Sequence, residues 1–190
     1  LIILLTILVT LTTAVSAQDL DPPRIEWERF HDFGAEDVSG RSTCFSLVVT
    51  PDGGAASIGW APLPYGTFTA LYDANGDLLS TDTLSQYHRF PTRIRASRNG
   101  GYVGSATFRE PNGDNSIHYA SILKYDDDLQ FQETLLFGGS TDSTCVFKDF
   151  IETEDGYVAS GYQSSSTWRN HVWIVKCDFD GNVIWSRKYG

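Results

Sequence analysis

Methionine is missing from all 190 residues, position 1 included. Cysteine occurs three times, histidine four times, and Lys plus Arg only 14 times against 24 Asp plus Glu, for a net charge of −10. Each shortage excludes something. The basic residues fall singly, apart from short pairs such as Arg93/Arg95 and Arg187/Lys188. They leave no electrostatic footprint for phosphate, so neither nucleic acid nor anionic lipid is an expected partner. No C-x-x-C, H-x-H or H-E-x-x-H spacing is present, which removes the usual signatures of a zinc site. There is no G-x-S-x-G elbow, and Pro51-Asp52-Gly53-Gly54 lacks both the Lys and the following helix of a phosphate loop. No long stretch carries a 3.6-residue apolar period, so a helical body is not expected. What remains is 41% hydrophobic and 13% aromatic, the composition of a folded chain long enough for one core.

Leu1 to Leu11 is an apolar run, followed by Ala14-Val15-Ser16-Ala17. Small residues at Val15 and Ala17 suit signal peptidase, so residues 1–17 read as a signal peptide with Gln18 opening the mature chain. The run falls short of the roughly 20 apolar residues a membrane helix needs. The expectation is a secreted or cell-envelope protein with no membrane span after cleavage. No Met and no basic n-region precede the run, so the start of the reading frame is expected to be missing. Cys44, Cys145 and Cys177 are odd in number, which leaves at least one thiol unpaired or shared between chains. Without metal spacing they read as small buried hydrophobes.

An internal repeat decides the fold. Glu154-Asp155-Gly156 is a turn, Tyr157 to Tyr162 a strand, Val172 to Lys176 a second, Asp178-Phe179-Asp180-Gly181-Asn182 a tight turn, and Val183 to Ser186 a third strand. Counterparts are Asn99-Gly100-Gly101, Tyr102 to Ala106, Ser121 to Lys124, Asp126-Asp127-Asp128 and Gln130 to Gln132. An earlier set is Asp52-Gly53-Gly54, Ala55 to Trp60, Phe68 to Leu71, Asp73-Ala74-Asn75-Gly76 and Leu78-Leu79. The second turn opens at Asp73, Asp126 and Asp178, a spacing of 53 and then 52 residues. A further strand precedes each first turn: Cys44 to Thr50, Thr92 to Ser97 and Val146 to Thr153. Four short strands per repeat, joined by Gly/Asp/Asn turns, predict an all-β partial β-propeller. Its blades cover about 42–83, 90–136 and 145–188, plus one N-terminal outer strand at 24–33. Three blades are fewer than the usual four to eight, so the chain is expected to be a fragment of a longer protein. Assembly of several copies into a ring is the alternative.

Gly156-Tyr157-Val158-Ala159-Ser160-Gly161-Tyr162, with Trp173-Ile174-Val175-Lys176-Cys177-Asp178-Phe179-Asp180-Gly181-Asn182-Val183-Ile184-Trp185 and Tyr189-Gly190, resembles the repeats of bacterial secreted β-propeller proteins. Those repeats read roughly DGGYIVAGYT…WLIKTDSNGNIIWSKTYGG and are common in Bacteroidota. The third repeat matches best and the first least, through Ala55-Ala56 and the Ala61-Pro62-Leu63-Pro64-Tyr65-Gly66 loop. The resemblance implies a secreted propeller, often joined to a sorting or adhesion module and mostly without an assigned activity.

The chemistry-bearing candidates are few. Asp178-x-Asp180-Gly181 and Asp73-x-Asn75-Gly76 share part of a calcium loop but lack its third acidic position, so hairpin turns are the simpler reading and calcium the alternative. Asp126-Asp127-Asp128, without Gly, reads as a solvated turn. A sialidase-type Asp box fails on two spacings, leaving Trp185 as an outer-strand packing residue. His31, His88, His118 and His171 read as single surface or turn histidines. No catalytic residue and no cofactor is assigned. Loops at one end of the channel carry Tyr65, Arg109, Asn112, Asp114, Trp168, Arg169 and Asn170, a mixture suited to a carbohydrate or protein ligand. The expected function is an exported, non-catalytic interaction or scaffold domain. Alternatives are a glycan-active or redox propeller whose active residues lie in missing blades, and an adhesive or structural role at the envelope.

Overall fold

The computed structural model describes residues 42–61, 66–85, 87–112, 115–165 and 170–190. The signal peptide expected at 1–17 and the strand expected at 24–33 lie outside these residues. Twelve strands form, and among the described residues there is no helix, hence none long and apolar enough to cross a membrane. The first four are β1 (Thr43–Val49), β2 (Ala55–Trp60), β3 (Thr67–Tyr72) and β4 (Leu78–Thr83). Then come β5 (His88–Ala96), β6 (Tyr102–Asn112), β7 (Asn115–Tyr125) and β8 (Phe131–Gly138). The last are β9 (Ser143–Thr153), β10 (Gly156–Ser165), β11 (Asn170–Cys177) and β12 (Val183–Tyr189). Each group of four is an antiparallel meander in chain order. The second and third meanders are joined by a single parallel pair, His118 with Thr144, into an eight-stranded sheet. Among the described residues neither sheet closes on itself.

Local chemistry explains why the meanders repeat. In the turn between third and fourth strands, the opening Asp accepts from two amides of its own loop: Asn75 and Asp77 at Asp73, Asp128 and Gln130 at Asp126, Asp180 and Asn182 at Asp178. That side-chain closure is the reason Asp favours such turns. The fourth residue has positive φ in all three: 80° at Gly76, 84° at Gly181 and 59° at Leu129. Leu129 therefore occupies a glycine slot, at a strain of about 1–2 kcal/mol. It is fully buried in a core cluster, and burying a leucine is worth about 1.5–3 kcal/mol, which offsets that strain. The Asp126 turn is thus built like the other two, with Asp126, Asp127 and Asp128 exposed as a solvated turn requires. At the other turn, a Cβ on Gly54, Gly101 or Gly156 would stand 2.1, 2.1 or 2.0 Å from the carbonyl oxygen of Tyr72, Tyr125 or Cys177. Only glycine fits that approach in any repeat.

The meanders pack face against face. Ala56, Ile58 and Leu84 of the first meet Ile94, Tyr102, Ala106, Leu123, Tyr125 and Leu129 of the second. The opposite face of the second, with Val103, Ala120, Ile122, Leu135 and Phe137, meets Cys145, Phe147, Phe150, Tyr157, Ala159, Trp173, Val175 and Cys177 of the third. The Phe147 ring stacks on Trp173 with centroids 5.2 Å apart, and Phe137 lies 5.3 Å from Phe147. Both faces of the middle meander are therefore covered, so β6 and β7 read as near-continuous buried runs instead of alternating ones. The far face of the third meander is not covered in the same way. Val172 and Tyr189 are 55% and 56% exposed, whereas their repeat equivalents Ala120 and Phe137 are 0% and 2%. Trp185, expected to pack on an outer strand, lies partly exposed on that face.

Candidate functional site

The first strands β1, β5 and β9 run side by side and are tied together by side chains more than by ladders. Ser46 Oγ accepts from the Ile94 amide at 3.2 Å, and Thr92 Oγ1 donates to the Phe147 carbonyl at 2.8 Å. Arg93 and Arg95 both reach Asp149, at 3.2 and 2.9 Å. Burial opposes ionisation of Asp149. The hydrogen bonds from Arg95 and the Phe150 amide, with the two Arg charges, outweigh it and hold the carboxyl below the usual range.

Each of these three strands is bulged at the same repeat position. Register slips at Phe45 in β1 (between Cys44 and Ser46), across residues 90–92 in β5 (between Arg89 and Arg93) and at Lys148 in β9 (opposite the step from Ser160 to Gly161). A bulge leaves an extra residue unpaired and re-aims its side chain. Here all three bulges open onto one cavity of about 550 Å3. Phe45, Phe90, Pro91, Thr92 and Lys148 come from the bulges themselves. Thr107, His118, Thr144, Val146 and Tyr162 complete the wall.

The lining is aromatic and hydroxylic with positive charge at its edge. Lys148 Nζ stands 5.5 Å from the centroid of the Tyr162 ring, a cation–π distance. His118 is half-buried, and desolvation, with the charges of Arg109 and Arg89 behind it, lowers its pKa below the ordinary histidine value. At neutral pH it is therefore an uncharged imidazole. Thr107 Oγ1 is buried without a hydrogen-bond partner, whereas Thr92 Oγ1 is also bonded to Ser105 Oγ at 2.8 Å. Phe90 is held at φ 50°, a left-handed conformation that is uncommon for an aromatic residue and marks local strain. A shallower, polar depression of about 430 Å3 lies near the chain end, between Ser143, Gln163, Ser164, His171, Lys188 and Gly190.

Of the loop residues singled out from the sequence, none is among the described residues that line this cavity. Tyr65, Asp114, Trp168 and Arg169 fall outside the described residues. Of Asn112 only the backbone is described, paired with Asn115 at the β6–β7 hairpin. Asn170 is exposed at the start of β11, next to the polar depression. Arg109 sits opposite His118 in the ladder and donates from Nε to Ser116 Oγ at 2.7 Å, so it acts on the cavity through its charge and does not line it. Sequence reasoning missed the bulge residues. The break in alternation shared by the three first strands, with the Phe90-Pro91 pair, is the signal that points to them.

Two histidines differ from their reading as surface or turn residues. His118 walls the cavity. His88 is buried against Phe108, with centroids 5.0 Å apart, and its ring nitrogens meet Ser85 Oγ and Thr134 Oγ1 at 3.3 and 3.0 Å. Burial pushes its pKa down to about 4. Cys145 and Cys177 are buried as expected, while Cys44 is exposed. Among the described residues no group of three or more His, Cys, Asp or Glu side chains converges as metal ligands would. The turn carboxylates serve their own loops: the Asp77 amide foremost at Asp73, and the Asn182 side chain foremost, with the loop amides, at Asp178, which keeps both below the usual carboxylate range. No family model matches the chain, and no curated protein is similar to it.

Proposed function

We propose that the chain is a β-propeller-type interaction domain, exported to the envelope or beyond, whose three meanders are blades and whose ligand binds where their inner strands meet. The observation that carries this reading is the convergence of the β1, β5 and β9 bulges on one cavity. Unrelated sheets packed face to face have no reason to bulge at one repeat position and aim the freed side chains at a common point. Lateral bonds through Ser46, Thr92 and Asp149, in place of ladders, suit strands arranged around an axis. The lining favours holding a ligand: rings to stack on, hydroxyls to orient, and a cation at the rim.

The test is a thermal-shift and calorimetric screen of the whole chain against glycans and short peptides. One ligand class should raise the melting temperature, and substitutions at Phe45 or Lys148 should abolish the rise while Asp178→Asn leaves it intact. Turnover of any ligand, or binding indifferent to the cavity variants, would overturn the reading.

A further inference from the structure

Resting on that reading of the inner strands, we infer that the cavity takes a carboxylate carried on a six-membered ring, its face stacked on the bulge aromatics and its charge met by Lys148. Shape and charge point the same way. Phe45, Phe90 and Tyr162 offer three ring faces, with Pro91 and Val146 between them, in a space of about 550 Å3. That volume accommodates one substituted ring or two. Phe90 is about half exposed although the backbone is strained to place it there, so the ring is presented and not packed.

Charge supplies the anion. The chain carries a net −10, yet among the described residues no Asp or Glu lines this cavity. Lys148 is at the rim, and among the described residues it has no carboxylate partner. Arg109 and Arg89 add positive potential from behind His118. A cavity of positive sign with apolar walls, set in an acidic surface, concentrates anions and repels none from within. A bare inorganic anion would leave the Phe45 and Phe90 rings uncovered, and a neutral ring would leave the ammonium without an anionic partner.

Hydroxyls then orient the ring. Thr144 and neutral His118 offer both donors and acceptors at the wall. Thr107 lines the wall with its carbon atoms, its Oγ1 being sealed from the cavity. A sugar acid and an aromatic acid share the required chemistry, and they differ in whether those hydroxyls are used.

The experiment is an amide-resolved NMR titration of the full chain with sodium D-glucuronate, sodium benzoate, D-glucose and sodium acetate. Glucuronate or benzoate should shift the amides of residues 45, 90, 92, 146–148 and 162 saturably, and bind at least about tenfold more tightly than glucose or acetate. Saturation by glucuronate alone identifies a sugar acid, and by benzoate alone an aromatic acid. Lys148→Met should weaken binding by about tenfold or more, with Lys148→Arg retaining most of it, since loss of a charge-assisted contact is read directly in the dissociation constant. Phe90→Asn, which tolerates positive φ, should also weaken it. Equal affinity for glucose and glucuronate, no saturation by either acid, or an indifferent Lys148→Met would overturn the inference. Cross-strand nuclear Overhauser contacts among Phe45, Thr92 and Val146 in the free chain separate the two levels. If they are present without acid binding, the ligand assignment alone fails, and if they are absent, the convergence of the strands fails with it.

Discussion

Ile122 and Ile174 stand at the same place in successive repeats, four residues before the turn aspartates Asp126 and Asp178. The fold treats them differently. Ile122 is 0% exposed, sealed between the second and third meanders, whereas Ile174 lies half-buried on the open face of the third. Truncation to alanine removes the same three carbons and the same strand preference at both, so the difference between the two variants isolates burial. For Ile122→Ala the transfer term is about 0.8 kcal/mol per carbon, and the cavity left in a packed interface brings the total to about 3–4 kcal/mol. For Ile174→Ala, water already reaches the side chain and no cavity is sealed, so a loss of about 1 kcal/mol is expected. Urea unfolding should show both as shifts in midpoint at unchanged slope, separated by at least about 2 kcal/mol. Equal losses within about 0.5 kcal/mol would refute the assignment of covered and open faces. A penalty at Ile174 that grows with protein concentration would show the face covered by another molecule.

Three other outcomes follow from particular groups. His88 has its pKa lowered to about 4 in the folded chain, against 6.5 unfolded, so its contribution is complete above pH 6.5 and is lost as pH falls toward 4. The loss over that window is on the order of 3 kcal/mol, and His88→Gln should flatten it, measured by urea midpoints between pH 4 and 7. Asp149→Asn breaks the contact with Arg93 and Arg95, but all three side chains are about two-fifths exposed, so the cost should stay below about 1 kcal/mol and shrink in high salt. The thiols should separate cleanly: Cys44 is exposed, while Cys177 is buried with its pKa pushed up to about 11. Partial burial raises the Cys44 pKa as well. A thiol reagent at neutral pH should therefore label Cys44 first but more slowly than free cysteine in the folded chain, and all three thiols in denaturant; rapid labelling of Cys177 would contradict its burial.

The turns were legible because their chemistry is local. An aspartate bonded to amides two and four residues on, followed by a residue of positive φ, is written in five consecutive letters, and its recurrence at 73, 126 and 178 placed the turn-facing ends of the six flanking strands to within one residue. Leu129 shows where local chemistry stops. Nothing within the Asp126 loop favours leucine in a glycine slot, and the compensating burial comes from a meander some fifty residues away, where Thr69 Oγ1 reaches the Leu129 carbonyl. His88 is a similar case, since Tyr87-His88-Arg89 reads as a polar turn and the rings that bury it, Phe108 and Phe131, are remote in sequence. The cavity was the least legible feature. A bulge is a relation between two strands, and one extra residue in either inverts which side chains face inward, so no single strand announces it. Loop tips were the natural candidates, and most of them fall outside the described residues. The residues that line the cavity are on the strands instead.

The three repeats also differ from one another in an informative way. Where stability is at issue they keep both geometry and residue type: aspartate opens every third-to-fourth-strand turn, a glycine meets the same carbonyl in every first-to-second-strand turn, and Val103 and Ile122 are matched by Val158 and Ile174. At the bulges they keep the position and change the length and the chemistry, with Phe45 in the first, three residues including Phe90-Pro91 in the second and Lys148 in the third. A bulge needed only to twist a strand places no demand on which residue is extruded, and a polar side chain would suit solvent. Two aromatic residues and one cation, turned toward a shared space, are poor choices for solvent and good ones for a ligand that is flat on one side and anionic at one end. On the proposed reading, the repeat supplies a scaffold with three projecting positions, and selectivity would lie in their being unlike.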